Sequence, residues 1–213
     1  MAHEISNIRK DYLNAKLDES IVDKNPMLQF QKWLAEAIKS TEPEPTAMVL
    51  STVSAEGKPS SRVVLLKETG KDNLIFYTNY LSRKGKELSA NPHASVLFFW
   101  PDLQRQVRIE GKIEKTSAQD SDQYFISRPD ASQLASWASA QSQVISSREE
   151  LEEAYKEEEK RFSKSPISRP SHWGGFQLFA ESFEFWQGRE SRLHDRLKYI
   201  KDGDEWKLVR LAP

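Results

Sequence analysis

The 213-residue sequence contains no cysteine, which removes disulfides, thiolate nucleophiles and cysteine-ligated zinc from consideration. It also lacks any apolar run near the roughly 18 residues that a membrane-spanning helix needs. The N-terminus, from Met1 to Asn7, does not show the basic and then apolar pattern of a secretory signal. These absences fit a reducing compartment, and we expect a cytoplasmic protein.

The sequence also lacks a charge imbalance, because its 31 Lys and Arg residues nearly balance its 32 Asp and Glu residues and the net charge is −1. We therefore expect no general attraction to nucleic acid or anionic membranes, so any anion binding must come from local clusters. The sequence has no Gly-x-Gly-x-x-Gly motif and no Walker-type loop, which argues against Rossmann and P-loop nucleotide sites. No metal-ligand triad and no Ser-His-Asp set stands out.

The residues that are present indicate a folded chain with an N-terminal extension. Six Trp, ten Phe and 38% hydrophobic residues are typical of a globular protein long enough for one sizeable core. Residues 1–24 are polar and weakly periodic, so we predict an arm there, which could act as a mobile lid, and a single domain over 25–213. After Asn25 and Pro26, apolar residues at helical spacing predict a first helix that ends at Pro43 and Pro45.

From residue 46 the apolar spacing changes to that of strands. We predict strands at 47–53, 61–67, 73–78, 94–100 and 104–114, helices at 82–90, 117–127 and 147–162, and final strands after Trp173. The helix at 147–162 is highly charged, and we expect it to be solvated. Short strands joined by tight turns favour an antiparallel sheet that curls into a barrel. The predicted fold class is therefore α+β, mainly β, with an antiparallel barrel and peripheral helices.

A run of cationic groups at a spacing of two lies near the C-terminus. Arg192, His194 and Arg196 follow an aromatic strand, and in an extended strand all three would share one face. Neighbouring cations repel one another, so the pattern predicts an anionic or electron-rich ligand between them. The alternative is a solvated face that pairs locally with Asp195.

Two predicted helices carry donors that could bind phosphate. Arg83 and Lys84 lie in a first turn, where the helix dipole disfavours cations but where free N–H groups attract a phosphate. Tyr124 and Arg128, four residues apart at a helix end, could form a second phosphate site with Ser132. The alternatives are two solvated basic residues in the first case and a Tyr–Arg stacking contact in the second.

A further pair of cations, Arg62 and Lys67, brackets an apolar strand. Because they are five residues apart, they would face opposite sides of a regular strand, and we predict that they serve different sites. Two separate anion clusters suggest two phosphate-bearing ligands. The abundant aromatic residues suggest that at least one ligand has a flat ring.

Ordered motifs along nearly the whole chain are similar to those of the pyridoxine/pyridoxamine 5′-phosphate oxidase family. They are RVVLLK at 62–67, FYTN at 76–79, SRK at 82–84, RQV at 105–107, YFISRP at 124–129, WGG at 173–175, FWQG at 185–188, RLHDR at 192–196 and RLAP at 210–213. Several of these motifs are weak individually, but their ordered combination is specific.

The resemblance implies a split β-barrel homodimer with FMN bound between the subunits. It implies that the FMN phosphate side is held by Arg62, Arg83, Lys84, Gln141 and Ser142. The rest of the cofactor site would comprise Val63, Val64, Leu65, Leu66, Lys67, Tyr77, Thr78, Gln106, Trp186 and Arg196. The substrate phosphate would be bound by Lys67, Tyr124, Arg128 and Ser132. The catalytic residues Arg192 and His194 would address the substrate's pyridine ring, and Arg9 with Tyr12 would close over it.

The implied reaction oxidises pyridoxine or pyridoxamine 5′-phosphate to pyridoxal 5′-phosphate, in vitamin B6 synthesis and salvage. A hydride would pass from the substrate's 4′ carbon to the flavin N5, and O2 would reoxidise the flavin and form H2O2. Because the flavin carries the redox chemistry, the protein need only position two rings, which fits the lack of an obvious nucleophile. His194 could accept a proton or hold the ring as a hydrogen-bond donor, and we favour the positioning role. A non-catalytic flavin or pyridoxal-phosphate carrier, and a relative with another cofactor or substrate, are the alternatives.

Overall fold

A computed structural model of the protein describes residues 16–213. The described residues form five α-helices, nine β-strands and a short 3-10 turn. The helices are α1 (Pro26–Lys39), α2 (Arg83–Ala90), α3 (Ala118–Ser127), α4 (Asp130–Ala138) and α5 (Arg148–Phe162). The strands are β1 (Ala47–Val53), β2 (Pro59–Leu65), β3 (Glu68–Thr69), β4 (Asn73–Asn79), β5 (His93–Trp100), β6 (Arg105–Lys115), β7 (Trp173–Gln187), β8 (Asp195–Asp202) and β9 (Glu205–Leu211). The predicted fold class, an antiparallel split β-barrel with peripheral helices, is confirmed.

The strands join in the order β2-β1-β5-β6-β7-β4-β3, and β8 pairs with both β7 and β9. β7 spans 15 residues, and its two ends have different antiparallel partners. Its first half pairs with β4, which sets Gly175 opposite Tyr77. Its second half pairs with β8, which sets Trp186 opposite Arg196. The register therefore fixes the backbone of Tyr77 relative to Gly175, and separately that of Arg196 relative to Trp186.

The internal contacts divide the chain into two compact units. Of the described residues, the first unit comprises 16–49, Val96–Glu110 and Ala180–Pro213, and the second comprises Leu50–Ser95 and Gly111–Phe179. The division into a 1–24 arm and a 25–213 domain stays a prediction. The predicted lid residues Arg9 and Tyr12 lie outside the described residues.

The core of the first unit is aromatic and is built on α1. Asn25 accepts a hydrogen bond from the Met27 N–H at 2.9 Å and caps the helix, with Pro26 in its first turn, as predicted. The Phe30 ring lies 5.0 Å from the Phe98 ring, and the edge of Trp33 meets Phe185 at 5.2 Å. Such pairs add about 0.5–1.5 kcal/mol each to the free energy gained by burial.

The prediction that prolines end α1 is wrong, because the helix stops earlier, at Lys39. The next residue, Ser40, turns the chain by donating from both its backbone N–H and its hydroxyl to the Ala37 carbonyl. Its side chain therefore satisfies a carbonyl that the helix leaves without a partner. Ile38 follows the apolar spacing of this helix but is 57% exposed, so that spacing alone does not identify the buried face.

In the second unit, α2 begins where the sequence predicts. The Ser82 hydroxyl accepts from the Gly85 N–H at 3.3 Å and caps the helix. Gly85 is required by space, since a Cβ there would lie 2.2 Å from the Tyr80 carbonyl oxygen. The first turn of α2 therefore lies close against Tyr80, the residue that follows β4.

Two other helices show what local patterns can and cannot predict. α5 has no buried residue, so the prediction of a solvated helix is confirmed. α4 was not predicted, because it begins directly after Pro129 and has no side-chain cap. No helix within 16–213 is both long enough and apolar enough to span a membrane.

Candidate functional site

The second unit contains a cavity of about 720 Å³ that is strongly cationic. Four cations line it, namely Arg62, Lys67, Lys84 and Arg128, and no Asp or Glu of the described chain does. The other lining residues are Val63, Val64, Leu65, Tyr77, Thr78, Asn79, Tyr124, Pro129, Ser132, Ala135, Ser136, Ser139, Gln141 and Trp173. In a protein of net charge −1, such a cavity concentrates positive potential and is suited to anionic ligands.

Arg62 and Lys67 both line this cavity, so the prediction that they face opposite sides of a strand is wrong, whereas their assignment to different ligands stays a prediction. The two-residue alternation that set them on opposite faces applies only within a strand. β2 ends at Leu65, so Lys67 lies beyond it and is free of that constraint. The alternation of side chains along β2 therefore does not predict the direction of the Lys67 side chain.

Arg62 is held by a buried carboxylate behind the cavity. Its guanidinium donates to the Leu50 carbonyl at 3.1 Å, to the Thr52 and Ser60 hydroxyls, and to Glu87 at 3.3 Å. Glu87 is 6% exposed and also accepts from Arg83 at 2.8 Å. Burial alone would raise the Glu87 pKa, but the hydrogen bonds from its hydroxyl and arginine neighbours outweigh it and lower the pKa to about 2.

Lys84 is the most buried of the lining cations, with 9% exposure. Its ammonium lies 3.1 Å from Gln141 Oε1, 3.2 Å from Thr78 Oγ1 and 3.5 Å from Ser82 Oγ. No carboxylate of residues 16–213 pairs with it. Burial, and then repulsion from Arg62, lowers the Lys84 pKa. The alternative of two solvated basic residues is therefore wrong for Lys84, while Arg83 is exposed and pairs with Glu87.

One wall of the cavity is a stack of three aromatic rings. The Tyr77 and Tyr124 rings are stacked with centroids 3.8 Å apart and planes 16° apart. The Trp173 ring centroid lies 5.5 Å from that of Tyr77, with 13° between their planes. Gly175 leaves room for the Tyr77 ring, since a Cβ there would lie 2.9 Å from Tyr77 Cε1. Burial raises the Tyr77 pKa to about 12 and raises the Tyr124 pKa as well. Both phenols therefore remain protonated hydrogen-bond donors at neutral pH.

Arg128 makes a cation–π contact with Trp173. Its guanidinium carbon is 4.5 Å from the Trp173 centroid, and Nη1 donates to the Ser136 hydroxyl at 2.8 Å. Burial lowers the Arg128 pKa from its usual value. The predicted alternative, a Tyr–Arg stack, is not what forms, because Tyr124 stacks on Tyr77 and Arg128 on Trp173.

The turn before β8, in the first unit, differs from its prediction. Arg192, His194 and Arg196 do not share an extended strand, because Glu190–Arg192 is a 3-10 turn and β8 begins only at Asp195. Ser191 and Arg192 both adopt positive φ, 56° and 61°, which few residues other than glycine do. The strand prediction failed because alternation in sequence cannot distinguish a strand from a turn stabilised by tertiary contacts.

His194 is oriented by this turn. The Arg189 backbone N–H donates to His194 Nδ1 at 3.1 Å, and the imidazole lies 4.7 Å from the Trp186 ring. Because Nδ1 accepts, the neutral ring carries its proton on Nε2. Burial, and then repulsion from Arg192, lowers the His194 pKa below 6.5. At neutral pH His194 is thus a neutral hydrogen-bond donor through Nε2.

Arg196 is already engaged within the same unit. It donates twice to Glu184 Oε1, at 2.9 and 2.7 Å, and once to the Ala212 carbonyl at 2.7 Å. Glu184 is 3% exposed and also accepts from Arg108 at 2.5 Å. Such a charge-assisted network is rigid, so it fixes the position of Arg196.

The predicted site residues thus fall into two groups. The cavity of the second unit gathers most of the predicted phosphate and ring contacts. Three further residues of the cofactor prediction do not line it: Leu66 is buried in the core, and Arg83 and Ser142 are exposed. Gln106, Trp186, Arg192, His194 and Arg196 belong to the first unit. The sequence analysis did not predict Glu87, Ser136 or Trp173 as site residues. For Ser136 there was a usable signal, because it lies one helical turn after Ser132.

The fold and the cavity together define a split-barrel protein with a cationic, aromatic-lined cavity that is suited to anionic ligands. Residues 34–161 match the family model described as pyridoxamine 5′-phosphate oxidase, and residues 173–213 match that of the pyridoxine 5′-phosphate oxidase C-terminal dimerisation region. The chain belongs to the pyridoxamine 5′-phosphate oxidase family. The resemblance found in the motifs is thereby confirmed.

Named relatives agree with this assignment. The chain is 51% identical to a pyridoxine/pyridoxamine 5′-phosphate oxidase of a Cyanothece species, over 100% of both chains. It is also 51% identical to one of Burkholderia mallei, over 98% of this chain and 99% of the relative. Among solved structures it is similar to PhzG from Burkholderia lata, in complex with tetrahydrophenazine-1-carboxylic acid. That similarity has a TM-score of 0.89 and 30% identity, over 96% of this chain and 100% of PhzG. An FMN-binding protein from Nostoc punctiforme shares the fold, with a TM-score of 0.70 and 19% identity over 88% of this chain and 98% of that one.

Proposed function

We propose that this protein is an FMN-dependent oxidase that converts pyridoxine or pyridoxamine 5′-phosphate to pyridoxal 5′-phosphate. One observation carries the proposal: a cavity with four cations and no described carboxylate, walled by stacked rings, in a chain of this family. Relatives that bear this name and align over their full length support it.

The donors around Lys84 fit the phosphate end of FMN. Arg62 and Lys84 are close enough for their charges to interact, and Thr78 and Gln141 lie at hydrogen-bond distance from Lys84. A buried ammonium without an anionic partner is costly, and a phosphate would supply that partner. When bound, FMN would supply the redox chemistry, taking a hydride from the substrate's 4′ carbon at N5 and passing electrons to O2.

The donors around Arg128 fit the phosphate of the substrate. Arg128, Lys67, Tyr124 and Ser132 line the same cavity, and both the Tyr124 phenol and the guanidinium are protonated donors at neutral pH. Two donor groups in one cavity can hold two phosphorylated molecules and so align their rings. Arg9 and Tyr12 are proposed, from the family resemblance alone, to close over the substrate.

The residues of the first unit would act in a homodimer. The matched dimerisation region, 173–213, contains Trp186, Arg192, His194 and Arg196. We propose that FMN lies at the subunit interface, where these residues and Gln106 complete the flavin and substrate sites. There His194 would donate a hydrogen bond through Nε2 and orient the pyridine ring. The alcohol substrate gives aldehyde and H2O2, and the amine substrate also consumes water and releases ammonia.

The similarity to PhzG supports one alternative, a substrate that carries no phosphate, because the ligand in that structure is a carboxylic acid. Here the two groups of cations, one around Lys84 and one around Arg128, favour two phosphorylated ligands. A carrier without catalytic activity is the second alternative.

The test is spectroscopic and uses the purified protein reconstituted with FMN. Anaerobic addition of pyridoxine 5′-phosphate should bleach the flavin absorbance, and admitting O2 should restore it with one H2O2 per aldehyde formed. Unphosphorylated pyridoxine at the same concentration is the matched control and should bleach it far less. Flavin binding without bleaching would indicate a carrier or another substrate and would refute the proposal.

A further inference from the structure

Arg128 is held in place by polar contacts that contain no carboxylate. Its guanidinium lies over Trp173 and donates one hydrogen bond, to Ser136 Oγ at 2.8 Å. Among residues 16–213 no Asp or Glu pairs with it. A guanidinium in this setting is free to bind an anionic ligand, provided that its planar fork points in the right direction.

The Ser136 hydroxyl has a fixed direction. It donates to the Ser132 carbonyl at 3.0 Å, and since a carbonyl can only accept, the hydroxyl proton lies there. The oxygen lone pairs therefore face Arg128 and accept its N–H. Ser132 and Ser136 lie one turn apart on α4, so both face the cavity.

α4 also holds the backbone of Arg128. Gln133 Nε2 donates to the Arg128 carbonyl at 2.8 Å and to the Ile126 carbonyl at 3.3 Å. The Ser136 carbonyl is itself within 3.1 Å of His172 Nε2, which ties α4 to the chain segment before β7. One helix thus supports Arg128 at its main chain and at its guanidinium.

We propose that Ser136 is a positioning residue that orients Arg128 toward the substrate phosphate. The inference rests on the proposed function and adds a residue that does not itself bind the substrate. Without the hydroxyl, the guanidinium keeps its ring contact with Trp173 but has no polar anchor among the described residues. It then regains rotational freedom, which weakens phosphate binding but leaves the redox step unchanged.

The experiment compares Ser136→Ala with Ser136→Thr, which retains the hydroxyl, in the FMN-loaded enzyme. Ser136→Ala should raise KM for pyridoxine 5′-phosphate about 10-fold and change kcat less than 2-fold, the size expected for one hydrogen bond to a charged group. Ser136→Thr should restore KM to near the wild-type value. Ser127→Ala is the matched control, because the Ser127 hydroxyl also donates to a carbonyl of its own helix but is exposed and accepts no hydrogen bond from a cation within 16–213.

Two further measurements separate positioning from a structural effect. KM for unphosphorylated pyridoxine should not respond to Ser136→Ala, and in an Arg128→Met background the serine substitution should have no additional effect. Equal KM in Ser136→Ala and wild type, an equal rise for both substrates, or failure of Ser136→Ala to fold would overturn the inference. If the wild type does not oxidise pyridoxine 5′-phosphate, the proposed function fails. Calorimetric titration of the FMN-loaded protein with inorganic phosphate then decides the inference alone, with about 10-fold weaker binding expected in Ser136→Ala.

Discussion

Replacing Lys84 by Met should weaken FMN binding and at the same time stabilise the FMN-free protein. The ammonium of Lys84 is buried, is repelled by Arg62 and has only neutral oxygens as partners. Without a bound phosphate the charged form of Lys84 lowers the stability of the fold, because no anion compensates for the desolvation of the ammonium. Met keeps the length and apolar volume of the stem and removes the charge.

The magnitudes follow from one charge-assisted hydrogen bond. Such a bond contributes about 1.5–3 kcal/mol, and a tenfold change in affinity corresponds to about 1.4 kcal/mol. We therefore expect the Kd for FMN to rise roughly 10- to 150-fold. If removing the buried charge recovers about 1 kcal/mol, the Tm of the FMN-free protein rises by about 2–4 °C for a chain of this length.

The pH dependence of stability has a definite sign. Since folding lowers the Lys84 pKa below 10.5, the unfolded chain binds more protons in the window between the folded pKa and 10.5. The wild-type, FMN-free protein therefore gains stability as the pH rises through that window. Lys84→Met lacks this gain, so the stability difference between the two proteins should shrink toward alkaline pH.

Flavin fluorescence quenching gives the Kd, and thermal unfolding without FMN gives the Tm. Lys86→Met is the matched control, because Lys86 lies on the same helix but is exposed. It should change neither quantity. Unaltered FMN affinity in Lys84→Met would show that no phosphate binds at Lys84, and a lower Tm would show that its charge is satisfied without ligand.

Two further substitutions test the carboxylate behind the cavity and the imidazole of the turn. Glu87→Gln removes the negative charge and replaces one of the two oxygens that accept from four donors by an NH2 group, so urea denaturation at pH 7 should show a loss of about 3 kcal/mol. Because folding lowers the Glu87 pKa from 4.5 to about 2, this difference should persist above pH 4.5 and shrink as the pH falls toward 2; a constant difference would contradict it. His194→Ala should lower kcat by less than the roughly 100-fold that loss of a general base typically costs. A fall to background activity in stopped-flow flavin reduction would contradict the positioning role.

Much of the secondary structure could be predicted from local sequence. Asn25 before Pro26, and Ser82 before a charged turn, cap α1 and α2 at the predicted residues. β1 begins and ends where the apolar run does, at 47–53. These elements are specified by groups a few residues apart, so no tertiary information is needed to find them.

The geometry of the site depended on contacts between distant residues. Lys67 could not be placed by strand alternation, because β2 ends two residues before it. Two contacts flank the 190–192 turn. The Arg189 backbone N–H donates to His194 Nδ1, and Arg210, fifteen residues further along the chain, donates to Asp195 Oδ1 at 2.8 Å. Spacing in sequence does not report such contacts.

The sequence alone determined which chemical groups this protein has: many cations, abundant aromatic rings, and motifs in the order of one oxidase family. Only the tertiary structure decided which cations share a cavity and which are already neutralised. Glu87 engages Arg62 and Arg83, and Glu184 engages Arg196, whereas Lys84 and Arg128 have no carboxylate partner in 16–213. The reason is physical, since the charge that a ligand meets depends on pairing and burial across the folded chain and not on the order of residues along it.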